Sequence, residues 1–242
     1  MAQVGDNKTQ MTELEKDLLP LNVLLHCRTV VEGKNFVTTG VMTHVEGELF
    51  EVELHEFERF ELGEAVKLTI YSPAGRQSMA SVVFAKYEGV IAVLQPPELR
   101  KRFTERRENP RVEIAGTAQI LGVLNEWGEQ KELENPSVLT IHDISISGIN
   151  LSGQDANHLA PQSRLAARIE IGIGFDCELE IVRRERQEDD GEMRCGAIMR
   201  LWEPEMLRPL RALILRQQVE MNAQSRRELI QKRSFNRMNP GE

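Results

Sequence analysis

The chain has 242 residues, of which 40% are hydrophobic and 28% charged, and its formal net charge is −8. This composition excludes fibrous, collagenous and disordered classes, and the length admits one or two domains. An acidic chain is a poor general polyanion binder unless its basic residues are gathered in one place.

No apolar run approaches the ~20 residues needed to cross a bilayer, and the first twenty residues hold no signal-peptide core. The expectation is a cytoplasmic protein with no membrane insertion. The first ten residues carry no core pattern and are expected to be disordered. From there Val23–Leu25, Phe36–Val45, Leu49–Leu54, Ala65–Tyr71, Ser78–Lys86 and Gly89–Leu94 are short β-prone runs. Turn residues part them, at Glu32-Gly33, Glu46-Gly47 and Ser72-Pro73-Ala74-Gly75. Six such runs at near-regular spacing predict a small antiparallel barrel over residues 1–98. The glutamates between Glu46 and Glu64 alternate with Leu49, Val52, Leu54, Phe57 and Phe60, which predicts one solvated strand face serving solubility.

Gln95-Pro96-Pro97 ends that pattern, because two prolines remove two amide donors and fix two φ angles. A basic belt follows, Arg100 to Arg111. Residues 1–99, 100–111, 112–202 and 203–242 carry net charges of −7, +4, −8 and +3. Residues 99–111 are therefore read as a hinge between two acidic bodies.

Beyond it the strand grammar returns in Val112–Leu121, Ser137–Asp143, Gly148–Ser152, Arg164–Ile173, Phe175–Arg184 and Met193–Leu201. Asp189-Asp190-Gly191 is expected to close the last hairpin. Residues 112–202 thus predict a second barrel, and residues 203–242 a helix and tail. Within the latter, Leu207, Leu210, Ile214 and Met221 recur at helical spacing from about Glu205 to Lys232, with Pro209 in the first turn or at a kink. The segment after Ser234 is expected to be disordered. The fold class is mainly β: two small antiparallel barrels in tandem, joined by a basic hinge, with a C-terminal α-helix.

Catalytic signatures are missing. There is no HExxH, GxSxG or GxxxxGK[ST], and Gly172-Ile173-Gly174, placed inside a strand, is no dinucleotide fingerprint. The chain reads as a non-enzyme with no metal and no cofactor. Cys27, Cys177 and Cys195 form no CxxC pair and read as buried thiols. The five histidines are scattered singly and read as solvated or hydrogen-bonded side chains.

Two elements remain. Arg107-Glu-Asn-Pro-Arg111, with Arg106 before it, projects guanidinium groups from a proline-stiffened stretch at the start of a strand. A guanidinium forks onto guanine O6 and N7, pairs bidentately with phosphate, or stacks on a base. Asp143-Ile-Ser-Ile-Ser-Gly148 lies between two β runs, where Asp and Ser make local turns that aim amides outward and Gly lets backbone approach a ligand closely. The Asp143 carboxylate is a fit acceptor for guanine N1 and N2. Together the set suits a compact anionic guanine nucleotide.

In their order, spacing and placement these two elements resemble the PilZ family of cyclic di-GMP (c-di-GMP) receptors over residues 100 to 202. Arg107 and Arg111 fall on the family's two arginines, and Asp143, Ser145 and Gly148 on its second motif. Arg106 is similar to a variant associated in the family with binding a stacked pair of ligand molecules. The order of barrel, hinge, PilZ barrel and helix also resembles the flagellar-brake subgroup. That resemblance implies a c-di-GMP effector whose hinge rearranges on binding and which regulates motility through a protein partner in the flagellar motor. It further implies recruitment to the flagellar base, as a monomer or homodimer, without nucleic acid. Relatives of the same build act on polysaccharide synthesis or pili. Two other classes compete: a single-strand nucleic-acid binder using barrel faces, against which stand the acidic bodies and only 5% aromatic residues, and an N-terminal flavin-binding split barrel, for which no phosphate loop is present.

Overall fold

The computed structural model describes residues 19–73, 75–95, 103–104, 109–154, 157–186 and 192–238. The chain divides into two compact units, residues 1–108 with 222–242, and residues 109–221.

In the first unit a two-residue strand, β1 (Leu19–Pro20), pairs in parallel with β8 (Phe103–Thr104). The body is a closed six-stranded barrel of β2 (Arg28–Glu32), β3 (Val37–Glu46), β4 (Leu49–Glu53), β5 (Ala65–Ser72), β6 (Gly75–Tyr87) and β7 (Val90–Leu94), in the order β2-β3-β4-β7-β6-β5. Every neighbouring pair is antiparallel. Phe50, Phe60, Met42, Leu68, Ile70 and Ile91 are fully buried inside it.

One expected strand is replaced by another. Val23 and Leu24 lie in a 3₁₀ turn over Leu21–Leu24 instead, and Leu25 caps it. With three residues per turn, Leu21 and Leu24 fall on one side, and both enter the barrel core. The sixth strand is Arg28–Glu32, in which Thr29 and Val31 face inward; the Thr29 hydroxyl is satisfied by the Cys27 carbonyl at 3.2 Å. The acidic face is solvated at Glu46, Glu53, Glu56, Glu58 and Glu61, as expected, and is corrected at two positions, Glu48 and Glu51. All of β4 except Glu53 is buried, and Glu48 and Glu51 are 8% and 5% exposed. Glu51 accepts hydrogen bonds from the Tyr87 hydroxyl and, at 2.7 Å, from Asn222 Nδ2. Burial and the Glu51 carboxylate both push the Tyr87 phenol far above its ordinary value, so it stays a donor.

The second unit is another closed barrel: β9 (Val112–Leu124), β10 (Gln130–Ile144), β11 (Gly148–Gly153), β12 (Arg164–Glu170), β13 (Gly174–Arg186) and β14 (Met193–Leu201), in the order β10-β11-β14-β13-β12-β9. Ile120, Leu139, Ile144, Ile149, Leu165 and Leu179 fill it. The strand expected over Arg164–Ile173 ends at Glu170, and Gly172, with φ +88, makes the turn into β13 rather than lying inside a strand. Asp189-Asp190-Gly191 lies outside the described residues.

Helix α1 (Leu207–Met238) follows a 3₁₀ turn at Pro204–Met206, with Pro209 in its first turn, and it continues past Ser234, where disorder was expected. Leu210 and Ile214 join the second barrel's core, whereas Leu207 and Met221 are exposed. From Asn222 onward the helix belongs with the first unit, where Arg226 Nε donates to the Glu88 carbonyl at 2.7 Å and Arg227 pairs with the Glu88 carboxylate at 3.2 Å. Among the described residues no helix is long and apolar enough to cross a membrane. All three cysteines are buried, and no disulfide joins them.

Candidate functional site

The site lies where β10 turns into β11, on the outer face of the second barrel. In a regular strand, residues two apart share a face, so Asp143 would follow Leu139 and Ile141 into the core. A bulge intervenes: the register slips between Ile141 and Asp143 against both β9 and β11. Against β11 the extra residue is His142, and against β9 the extra residue lies on β9, where Ile114 and Ala115 stand opposite His142 alone; past this break Asp143 points outward and Ile144 takes the buried position opposite Val112. His142 itself is hydrogen-bonded to Ser152 Oγ at 2.8 Å.

Two bonds tie the start of β9 to this turn. Asn109 Nδ2 donates to Ser147 Oγ at 3.0 Å, and Arg111 Nη1 reaches Asp143 Oδ1 at 3.3 Å. Pro110 stands between the two side chains and fixes the local φ. The Arg111 and Asp143 side chains retain 34% and 22% of their exposure, so the pair stays open to a ligand.

Ser145 behaves differently from the expectation that the turn aims its amides outward. Its amide donates to the Gly148 carbonyl at 2.7 Å and its hydroxyl to the same oxygen at 3.2 Å. Ser145 is 3% exposed, so it shapes the turn, with both of its donors spent on closing it. Gly148 opens β11 without a positive φ. A Cβ there would stand 3.4 Å from the Ala197 carbonyl oxygen and 3.5 Å from both Arg111 Nη2 and Ser145 Oγ. The missing side chain leaves a niche bordered by the Arg111 guanidinium. The structure therefore brings together Arg111, Asp143, Ser145 and Gly148, while Arg106 and Arg107 lie outside the described residues.

Several neighbours of the cluster belong to neither sequence motif. Asn150 is the Cα partner of Asp143 and donates Nδ2–H to Asp143 Oδ2 at 2.9 Å. Arg194 Nε donates to Asn150 Oδ1 at 3.3 Å. Gly196 is the Cα partner of Asn150 on β14, and a Cβ on it would fall 2.9 Å from Arg183 Nε, so the Arg183 side chain lies across that glycine. The only signal for Asn150 in the sequence is its place two residues after Gly148, on the same strand face. The cluster offers guanidinium donors, one outward carboxylate acceptor and a side-chain-free niche. These are groups that hold an anion and a donor-bearing base edge by hydrogen bonds. Among the described residues no group of three or more His, Cys, Asp or Glu could hold a metal ion.

No family model matches the sequence, and no curated protein matches it as a relative. Solved structures do show likenesses. The K. pneumonia MrkH–c-di-GMP complex is 15% identical, with 90% of this chain and 94% of that one covered, at a TM-score of 0.38. The Bacillus subtilis inhibitor of motility MotI/DgrA is 13% identical, with 81% and 98% covered, at 0.40. The PilZ domain of Escherichia coli YcgR with c-di-GMP is 16% identical, with 50% and 97% covered, at 0.35. Two of these three structures, the MrkH complex and the YcgR PilZ domain, hold c-di-GMP.

Proposed function

We propose that the protein is a non-enzymatic c-di-GMP effector and that the outer face of its second barrel, around Arg111, Asp143 and Gly148, is the ligand site. The observation that carries this reading is the bulge-directed meeting of Asp143 with Arg111 beside the Gly148 niche. An arginine fork matches guanine O6 and N7 or a phosphate, and a carboxylate accepts from guanine N1 and N2. Arg106 and Arg107 complete the set in this proposal, because like charges in the belt repel until an anion neutralises them. A ligand held by both the belt and the barrel favours a different arrangement of the two domains, 1–98 and 112–202, only as far as its affinities for the two states differ. The output is proposed to be regulation of flagellar motility through a protein partner at the motor.

Calorimetric titration with c-di-GMP, beside GTP and a short RNA, tests the ligand. Saturable binding of c-di-GMP far tighter than of GTP is expected, since one linear nucleotide cannot bridge the arginines and the turn in the same geometry. Equal affinity for all three would reject the reading. Small-angle scattering with and without saturating c-di-GMP tests the domain rearrangement, and identical curves would reject that part alone.

A further inference from the structure

Asn150 lies outside both sequence motifs, yet it holds one half of the Asp143 carboxylate. Its carboxamide stands between a group that only accepts and a group that only donates: Asp143 Oδ2 at 2.9 Å and Arg194 Nε at 3.3 Å. The amide consequently has one possible orientation, with Nδ2 toward the carboxylate and Oδ1 toward the guanidinium. At 3% exposure Asn150 is closed to water that could take over either bond.

The two oxygens of Asp143 are therefore unequal. Oδ2 is bound to a buried neutral amide through a short bond, whereas Oδ1 meets a partly exposed arginine at 3.3 Å. A ligand carrying phosphates and purine edges competes for Arg111 far more readily than for Asn150. Once the guanidinium turns to the ligand, Oδ1 is released as an acceptor, and Oδ2 remains held.

We infer that Asn150 is a positioning residue that keeps Asp143 Oδ1 presented to a purine edge bearing N–H donors, and so sets the preference for a guanine over an adenine cyclic dinucleotide. This rests on the reading of the cluster as a c-di-GMP site. The charged groups around position 150 are Asp143 on β10, Arg194 on β14, Arg183 across Gly196 from β13, Arg111 ahead of β9, Glu113, the β9 partner of Asp143, and Glu192, which accepts from Ser152 at 3.0 Å two residues along the same face. The histidine nearest in the chain, His142, is engaged with Ser152.

Two variants test the assignment in calorimetric titrations with c-di-GMP and c-di-AMP. Asn150→Ala removes the donor and frees the carboxylate to rotate; c-di-GMP affinity should fall roughly ten-fold to a hundred-fold, and the preference over c-di-AMP should shrink. Asn150→Asp sets a second carboxylate against Asp143. One shared proton restores the missing donor, so its c-di-GMP affinity relative to wild type should be poor at pH 8 and recover toward pH 5. A purely structural asparagine would give no such profile, and if Asn150→Ala fails to fold, the Asn150→Asp profile decides. Tight wild-type binding with unchanged affinity and selectivity in Asn150→Ala, or a pH-independent deficit in Asn150→Asp, overturns the role of Asn150 alone. No binding of c-di-GMP by the wild type overturns the reading of the site, and the inference with it.

Discussion

Arg111 and Asp143 are 32 residues apart in the chain, and their side chains meet at 3.3 Å on the outer face of the second barrel. The meeting depends on the break in register between Ile141 and Asp143, on both neighbouring strands, which keeps Asp143 out of the core. It is a partly exposed pair, and such pairs contribute little to stability. Its value lies in placing a donor fork beside an acceptor.

Arg111→Ala should therefore weaken c-di-GMP binding by ~1–3 kcal/mol, about five-fold to a hundred-fold, while changing stability by no more than about 0.5 kcal/mol. Arg111→Lys should recover little, because an ammonium lacks the planar fork. Calorimetric titration and a thermal melt of each variant check both halves. A wild-type titration curve from Arg111→Ala would remove this residue from the site.

Gly148→Val should abolish binding and leave the melting temperature near that of wild type. Position 148 has no positive φ to strain, and valine suits a strand. Its Cβ would begin in contact distance of Arg111 Nη2 and Ser145 Oγ, and the two methyl groups would extend into the niche. Gly148→Ala should bind with intermediate affinity. Loss of stability parallel to loss of binding would show that the glycine serves packing instead.

Acid should weaken the second barrel in part through Glu178. Arg164 forks onto its two oxygens at 2.9 Å each, and Arg200 adds a third bond at 2.8 Å. The hydrogen bond from Arg164 is the leading cause that holds the Glu178 carboxyl below its ordinary value near 4.5. A carboxylate whose pKa is depressed on folding stabilises the fold above the unfolded value and loses that contribution as pH falls through the folded one. The melting-temperature difference between wild type and Glu178→Gln should be constant from pH 8 to about 5.5 and shrink below about pH 4.5. A difference that persists unchanged to pH 3 would contradict this.

The first unit offers a separate test at Glu51. Replacing it with Ala leaves the Tyr87 hydroxyl and the Asn222 amide without their buried acceptor, at a cost of about 1–3 kcal/mol. Glu51→Gln keeps an acceptor oxygen and should lose less. Urea titrations of the two variants give the comparison, and equal stability of Glu51→Ala and wild type would show that the acceptor is dispensable.

The architecture was legible in the sequence wherever runs of β-branched residues were bounded by Gly, Pro or Asp. Both barrels and the helix follow from that grammar. The errors share a cause, which is that local pattern does not report tertiary cover. Val23–Leu25 looks like a strand, but Leu21 and Leu24 reach the core from a 3₁₀ turn. The glutamate at 51 looks solvated, yet Tyr87 and Asn222, 36 and 171 residues away, enclose it. Likewise Asp143 and Gly148 stand out in a short motif, whereas Asn150 gains its meaning only from cross-strand register and from Arg194, 44 residues further on.

Heteronuclear NMR during a c-di-GMP titration reports binding and its location together. The Arg111 side-chain Nε–H signal, the Asn150 side-chain amide and the backbone amides from Ser145 to Asn150 should shift and saturate together, with GTP producing far smaller changes at the same concentration. Saturating c-di-GMP that leaves these signals in place would contradict the account, whether the nucleotide fails to bind or binds on another surface.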